Sequence, residues 1–422
     1  MHLNARSLSS FNPVILSIGL AVFSILTIVA GDLTNHAQTQ DNSLSNAMLG
    51  VNPGRTRAYD IPLGIHPKSV HWKTSKLFVV DRSYPLTLTF EGIPGMSSTT
   101  IWTPSGHSFT EPVMAGDTIY FSVYINDGYV FAQRSETGGD KWRIKLPGVR
   151  VSTLAVTNDA VFGGSSDGTL FALNAASGQT VWNKVQKGSE FHTAAPLLAN
   201  GIVYFCSTEY AAVDNIRPKG RIFALDARTG NQLWLYETRS ALGTASYAHE
   251  ILFVGDAAGH LHALDAVTGQ QRWTSKDFGD GIRASTTKNA LVYFSTSDGG
   301  LHAVDARTGD ERWKTKEPRV ATALALDDSH IYFGGEKSNL YAIDAITGQL
   351  SWSYKTKNEC HSPVLGGGVV CFKSGDILQA LDAANGTEKW QVIGIPKLVS
   401  APILNRSSIY FLDGDGHMYA LK

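Results

Sequence analysis

Residues 263–273 read ALDAVTGQQRW, with Ala263, Asp265, Thr268, Gly269 and Trp273 at fixed offsets. The same frame, Ala-x-(Asp/Asn)-x-x-(Thr/Ser/Asn)-Gly-x-x-x-Trp, ends at Trp182, Trp234, Trp313, Trp352 and Trp390, and a copy with Arg134 in the acidic slot ends at Trp142. With Trp102 included, successive tryptophans lie 40, 40, 52, 39, 40, 39 and 38 residues apart. A period near 40 marks an array in which each repeat is one supersecondary unit that must stack on its neighbours to bury an apolar face.

Within a repeat, as in residues 292–316 (VYFSTSDGGLHAVDARTGDERWKTK), short β-rich alternating runs are separated by Asp-Gly and Thr-Gly turns. Four such runs per repeat are the strands A to D of a propeller blade. Asp or Asn opens the turn between C and D by accepting backbone amide hydrogen bonds, and glycine supplies its positive φ. The tryptophan on strand D serves packing, since an indole buries on the order of 200 Å², or up to ~5 kcal/mol. The expected docking residues are therefore Trp102, Trp142, Trp182, Trp234, Trp273, Trp313, Trp352 and Trp390, with Gly178, Gly230, Gly269, Gly309, Gly348 and Gly386 in the turns.

The last repeat stops at Lys422 with strands A, B and C but no D. Thr99–Thr103, carrying Trp102 one period before Trp142, is expected to supply the missing strand and close the ring, since closure removes exposed sheet edges. The predicted fold is all-β, an eight-bladed propeller of four-stranded antiparallel blades over residues 98–422. Residues 52–97, which include Trp72, are expected to add strands packed on the propeller. Residues 32–51, rich in Asn, Gln and Ser, read as a flexible tether.

Ahead of the tether, Val14 to Ala30 (VILSIGLAVFSILTIVA) is nearly all apolar and follows Arg6. Residues 1–31 thus read as a signal peptide or an N-terminal membrane anchor, the core being long for the first and short for the second. Because no basic residue follows until Arg55, both readings put the rest of the chain outside the cytoplasm, periplasmic or secreted. A formal net charge of −1 offers no field for nucleic acid. Of three cysteines, Cys360 and Cys371 fall on adjacent strands of one blade, so they either pair or remain buried thiols beside Cys206.

The seven-copy motif resembles the tryptophan-docking motif of the pyrroloquinoline quinone (PQQ)-type, or quinoprotein-like, propellers. In that group the alcohol and sugar dehydrogenases hold PQQ and calcium, whereas BamB-like proteins lack the cofactor and scaffold the assembly of outer-membrane barrels. The resemblance to the dehydrogenases implies adjacent cysteines over the quinone, and no two cysteines here are adjacent. The export segment also holds no cysteine to carry the lipid anchor of the BamB-like branch. The expectation is a monomeric extracytoplasmic scaffold for protein or another cell-envelope polymer, with membrane contact only through the N-terminal segment, without cofactor and without catalytic or metal residues. A PQQ- and calcium-dependent dehydrogenase is the alternative.

Propeller geometry puts the loops leading into strand A on the same face as the B-to-C turns, and the Asp-x-x-Thr-Gly turns on the other. The varied face carries the insertion Thr208–Gly220 and the residues that precede strand A. Glu190, His192, Tyr210, Arg217, Arg283, Arg319, Glu359, His361 and Lys397 are the binding-face candidates, because loops on a rigid scaffold carry function. Asp413-Gly-Asp-Gly416 looks calcium-like, but Asp167-Gly168 and Asp298-Gly299 occupy the same turn in other blades, which makes it a hairpin. His262 and His302 align with apolar strand C residues and read as strand positions rather than metal ligands.

Overall fold

A computed structural model describes residues 58–59, 70–73, 85–88, 99–102, 108–191, 194–209, 219–361, 363–393, 400–405, 408–413 and 417–421. Each repeat forms one antiparallel sheet whose strands lie in chain order; in the fourth these are Ser246–Ala248, Ile251–Gly255, Leu261–Asp265 and Gln271–Thr274. Eight such sheets make a ring, with strand A innermost and strand D outermost. The apolar core is divided among the junctions between blades. One cluster, for example, joins Ile251, Phe253 and Ala263 of blade 4 to Val292, Phe294 and Val304 of blade 5.

A three-residue row crosses every complete blade. In blade 3, Tyr204 on strand B faces Ala224 on strand C, which faces Trp234 on strand D. The alanine leaves room for the two rings, whose centroids lie 5.7 Å apart. The indole packs on Gly269 in the C-to-D turn of blade 4, where φ is +72° and a Cβ atom would come within 2.6 Å of the ring. Its Nε1–H donates to the Ala266 carbonyl at 3.0 Å, and the Tyr204 hydroxyl donates to the same oxygen at 3.0 Å. Both lone pairs of that carbonyl are thereby used. Trp142, Trp182, Trp273, Trp313 and Trp352 dock in the same way on Gly178, Gly230, Gly309, Gly348 and Gly386.

The ring is closed by a different tryptophan from the one expected. Strand β1 is Ala58–Tyr59, β2 is Val70–Lys73, β3 is Pro85–Leu88 and β4 is Thr99–Trp102. It is β2 that pairs antiparallel with the last strand, Met418–Leu421, and Trp72 that stands opposite Ala420. The segment with Trp102 pairs instead with β3, Trp102 opposite Pro85, in a separate two-stranded sheet. The strand with Trp102 is therefore not the one that completes blade 8, and residues 52–97 supply the closing strand rather than only additional ones. The blade count stays at eight, and the closing junction is cemented by Phe121 and Phe131 of blade 1 against Tyr410, Leu412 and Met418 of blade 8.

Strand β1 runs parallel to Val364–Gly366, the innermost strand of blade 7, with Ala58 opposite Leu365. It therefore lies on the channel side of the ring. Cys206, Cys360 and Cys371 are all free and buried. Cys371 faces Val364 and Ala380 while Cys360 bridges Ser374, so the two thiols occupy different strand registers and the buried-thiol alternative holds. The apolar stretch Val14–Ala30 and the tether lie outside the described residues.

Candidate functional site

The varied rim is assembled by a repeated bridge. The chain leading into strand A touches the end of strand B before strand A proper begins: Val151 bridges Ser165, Glu190 bridges Thr208, Leu242 bridges Asp256, Val320 bridges Gly335 and Cys360 bridges Ser374. Between bridge and strand the ladder breaks, and a hydroxyl fills the gap. Ser152 Oγ accepts from the Gly164 amide at 3.1 Å and Thr322 Oγ1 from the Gly334 amide at 2.8 Å. On the other face the A-to-B and C-to-D turns are tied together, as by the Ala266 amide donating to the Glu250 carbonyl at 3.0 Å.

Five of the nine candidate residues fall within the described residues, and all five lie at this rim. Glu190 is itself a bridge residue. Arg283 follows Ile282, which faces Thr296, at the start of strand A in blade 5. Arg319 precedes the Val320 bridge, and Glu359 and His361 flank the Cys360 bridge. His192, Tyr210, Arg217 and Lys397 lie outside the described residues. The insertion is framed by a long hairpin, Ile202–Glu209 against Lys219–Asp226, with Glu209 opposite Lys219.

The candidates differ in how far the fold already uses them. The Arg319 guanidinium clasps the preceding turn, its Nε donating to the Asp298 carbonyl at 2.8 Å, and its Nη1 lies 3.3 Å from Glu336. Asp298 is held at about 2 by the Thr296 hydroxyl and the Gly300 amide, with Lys316 adding a further pull from 3.3 Å. Arg319 thus serves as a structural clamp. Burial raises the Glu190 carboxyl above its ordinary range, opposed by the charge of Arg150, whose guanidinium stacks 5.1 Å from the Tyr124 ring. Burial also lowers His361, with the neighbouring charge of Lys373 acting in the same direction, and burial lowers Lys373 itself.

Arg150, Tyr124, Lys373 and Glu336 therefore belong to the rim, although sequence reading passed over them. Arg150 had a usable signal, since it stands just before a bridge residue as Arg319 does. The position of Lys373 depends on the register of strand B, which the repeat alone does not mark. The strand C reading of His262 and His302 agrees with their places in Leu261–Asp265 and Leu301–Asp305. The His262 ring is engaged by Asp256 at 3.1 Å and by the Tyr236 hydroxyl at 3.1 Å. Asp167 and Asp298 each accept the amide two residues on, from Thr169 and Gly300, the hairpin role expected of them.

A quinone and calcium require convergent oxygen donors beside an open funnel. Among the described residues, no set of three His, Cys, Asp or Glu side chains converges on a common point, and β1 takes a place on the channel side of blade 7.

The family model described as Outer membrane protein assembly factor BamB matches residues 95–248 and 218–422. A protein of that description from Burkholderia pseudomallei is 28% identical over 181 residues, which is 42% of this chain and 43% of the relative, less than half the length of either. BamB from Moraxella catarrhalis superposes with a TM-score of 0.59 at 18% identity, covering 75% of this chain and all (100%) of that one. Quinohemoprotein alcohol dehydrogenase from Comamonas testosteroni superposes at 0.64 with 15% identity, covering 89% of this chain and 80% of its own. At such identities the structural likeness is one of fold, and fold is shared by scaffold and enzyme. With the family model matched from residue 95 to residue 422, this chain belongs to the family described as Outer membrane protein assembly factor BamB.

Proposed function

We propose that the chain is a non-catalytic extracytoplasmic scaffold that binds protein partners of the cell envelope through the varied rim. The observation that carries this reading is the gathering of Glu190, Arg283, Arg319, Glu359 and His361 at equivalent leading positions of different blades, on a frame held rigid by the docked indoles. Such a rim presents charges of both signs at fixed spacing, which suits a polypeptide surface better than one small substrate. The BamB description of the family agrees with it. Strand β1 is parallel to a strand A, so the chain enters β1 from the rim face.

The test is affinity capture from the native envelope with the wild-type chain and with the triple variant Arg283→Ala, Glu359→Ala, His361→Ala. Loss of captured proteins from a variant that melts normally is expected, and an unchanged set of partners would reject the rim. The alternative, suggested by the quinoprotein dehydrogenases of the same fold, is tested separately. The purified protein is incubated with PQQ and calcium, and retention of the quinone with dye-linked oxidation of alcohols or sugars would establish the enzyme instead.

A further inference from the structure

The row that crosses each blade varies at its strand B position. In blades 1, 3 and 6 that residue is Tyr120, Tyr204 and Tyr332, and each hydroxyl joins an indole on a carbonyl of the next blade: Ala175 at 3.2 Å, Ala266 at 3.0 Å and Ala383 at 2.9 Å. In blade 2 the ring is Phe162, opposite Ala172. The Ala227 carbonyl accepts the Trp182 Nε1–H at 2.9 Å, and the hydroxyl that would use its other lone pair is missing. Blade 4 carries Phe253 at this place, yet Ala306, which receives Trp273, is buried, as are Ala175, Ala266, Ala345 and Ala383. Of these turn alanines it is Ala227 that is partly exposed.

A second position changes together with the first. At the junction of blades 3 and 4, Tyr247 on strand A packs in the same apolar cluster as Tyr204, and its hydroxyl accepts from Asn200 Nδ2 at 2.7 Å. Tyr247 faces Leu252; the equivalent residue of blade 3, facing Val203, is Leu198. The junction of blades 2 and 3 thus lacks both phenols, and it holds a cleft of about 420 Å³ lined by Phe162, Leu198, Val181 and Ala227. That volume falls in the ~300–1,000 Å³ range of ligand pockets. Arg228 and Asp159 stand at its edge, one charge of each sign, which favours an uncharged occupant.

We propose that this cleft binds a small neutral phenol, which restores the ring and the hydroxyl found at the next junction. The ring lies against Phe162 and Leu198, and the hydroxyl donates to the Ala227 carbonyl. With an ordinary pKa of about 10, a phenol enters such a site without charge at neutral pH. The cleft is on the face opposite the rim and is independent of the partner surface.

The experiment titrates para-cresol into the full chain, followed by ligand-observed NMR, with the methyl ether of para-cresol as the control that cannot donate. Saturable binding of para-cresol is expected, about fivefold tighter than that of the ether, the worth of one net hydrogen bond. Leu198→Tyr copies Tyr247 into the cleft and should weaken binding at least tenfold without lowering the melting temperature. Phe162→Tyr gives Ala227 its second donor and should abolish the advantage of para-cresol over the ether. Leu350→Tyr, on the outer strand of blade 6, should change neither. Absence of saturable binding, equal affinity for the ether, or undiminished binding by a folded Leu198→Tyr protein would overturn the proposal. Tighter binding of a blocked Gly-Gly-Tyr-Gly-Gly peptide would overturn it too, since the occupant would then be a partner's side chain. The rim variant should leave para-cresol binding intact, so failure of either site is read independently.

Discussion

Trp72 lies opposite Ala420, the same register in which Trp142 faces Ala132, Trp273 faces Ala263 and Trp390 faces Ala380. One strand from the N-terminal part of the chain and three from its end thus complete a blade whose cross-strand pairing matches the others. Fastening first to last in this way leaves no open junction at which the ring unzips.

The two tryptophans of the N-terminal region are therefore unequal. Trp72 holds the strand register of the docked tryptophans, so Trp72→Ala should cost about 3–5 kcal/mol and should lower the melting temperature by several degrees. Trp102→Ala, outside the ring, should leave the melting temperature near the wild-type value. Calorimetry of the two variants decides the matter, and the reverse ranking would return closure to the segment with Trp102.

The docking glycines test the indole contacts from the other side. Gly269 and Gly148 share a positive φ, +72° and +69°, but a Cβ on Gly269 meets the Trp234 ring while nothing lies within 4 Å of one on Gly148. Gly148→Ala should cost only the backbone strain of about 1–2 kcal/mol. Gly269→Ala adds displacement of a packed ring, roughly 1–3 kcal/mol more. Equal denaturation midpoints for the two variants would mean that the indole is not held against the turn.

The architecture was legible because the motif states its own chemistry: a turn acceptor, a positive-φ glycine and a ring, repeated at one period. Closure misled because spacing was the only guide at the N-terminal end. Trp102 stands a full period before Trp142, whereas Trp72 is separated from blade 1 by a segment that includes the hairpin of β3 and β4. Spacing measures sequence, and closure is a long-range pairing that spacing does not encode. The rim could be placed from blade topology, yet its electrostatics could not. Whether Arg319 is free or clasped to Asp298 depends on side-chain reach across a turn.

Stability should fall on acidification in two steps whose signs agree. Burial lowers His302 and His361 below the ordinary imidazole value of 6.5, so the unfolded chain takes up these protons first. Their contribution is complete above about pH 6.5 and is lost as pH falls toward their depressed folded values. Asp265, paired with Arg272, and Asp298, bonded to the Thr296 hydroxyl, are both held at about 2 against an ordinary 3.8. Their contribution is present above the ordinary value and disappears as pH falls toward 2; both are partly exposed to solvent, which screens the pairs, so each share is small. Melting temperatures at pH 7, 5.5, 4 and 2.5 should therefore decline throughout. His361→Gln should flatten the interval from 7 to 5.5, and the pair Asp265→Asn with Asp298→Asn the interval from 4 to 2.5. If the histidine variant changed only the lower interval, the source of the neutral-to-acid loss would have to lie in another group.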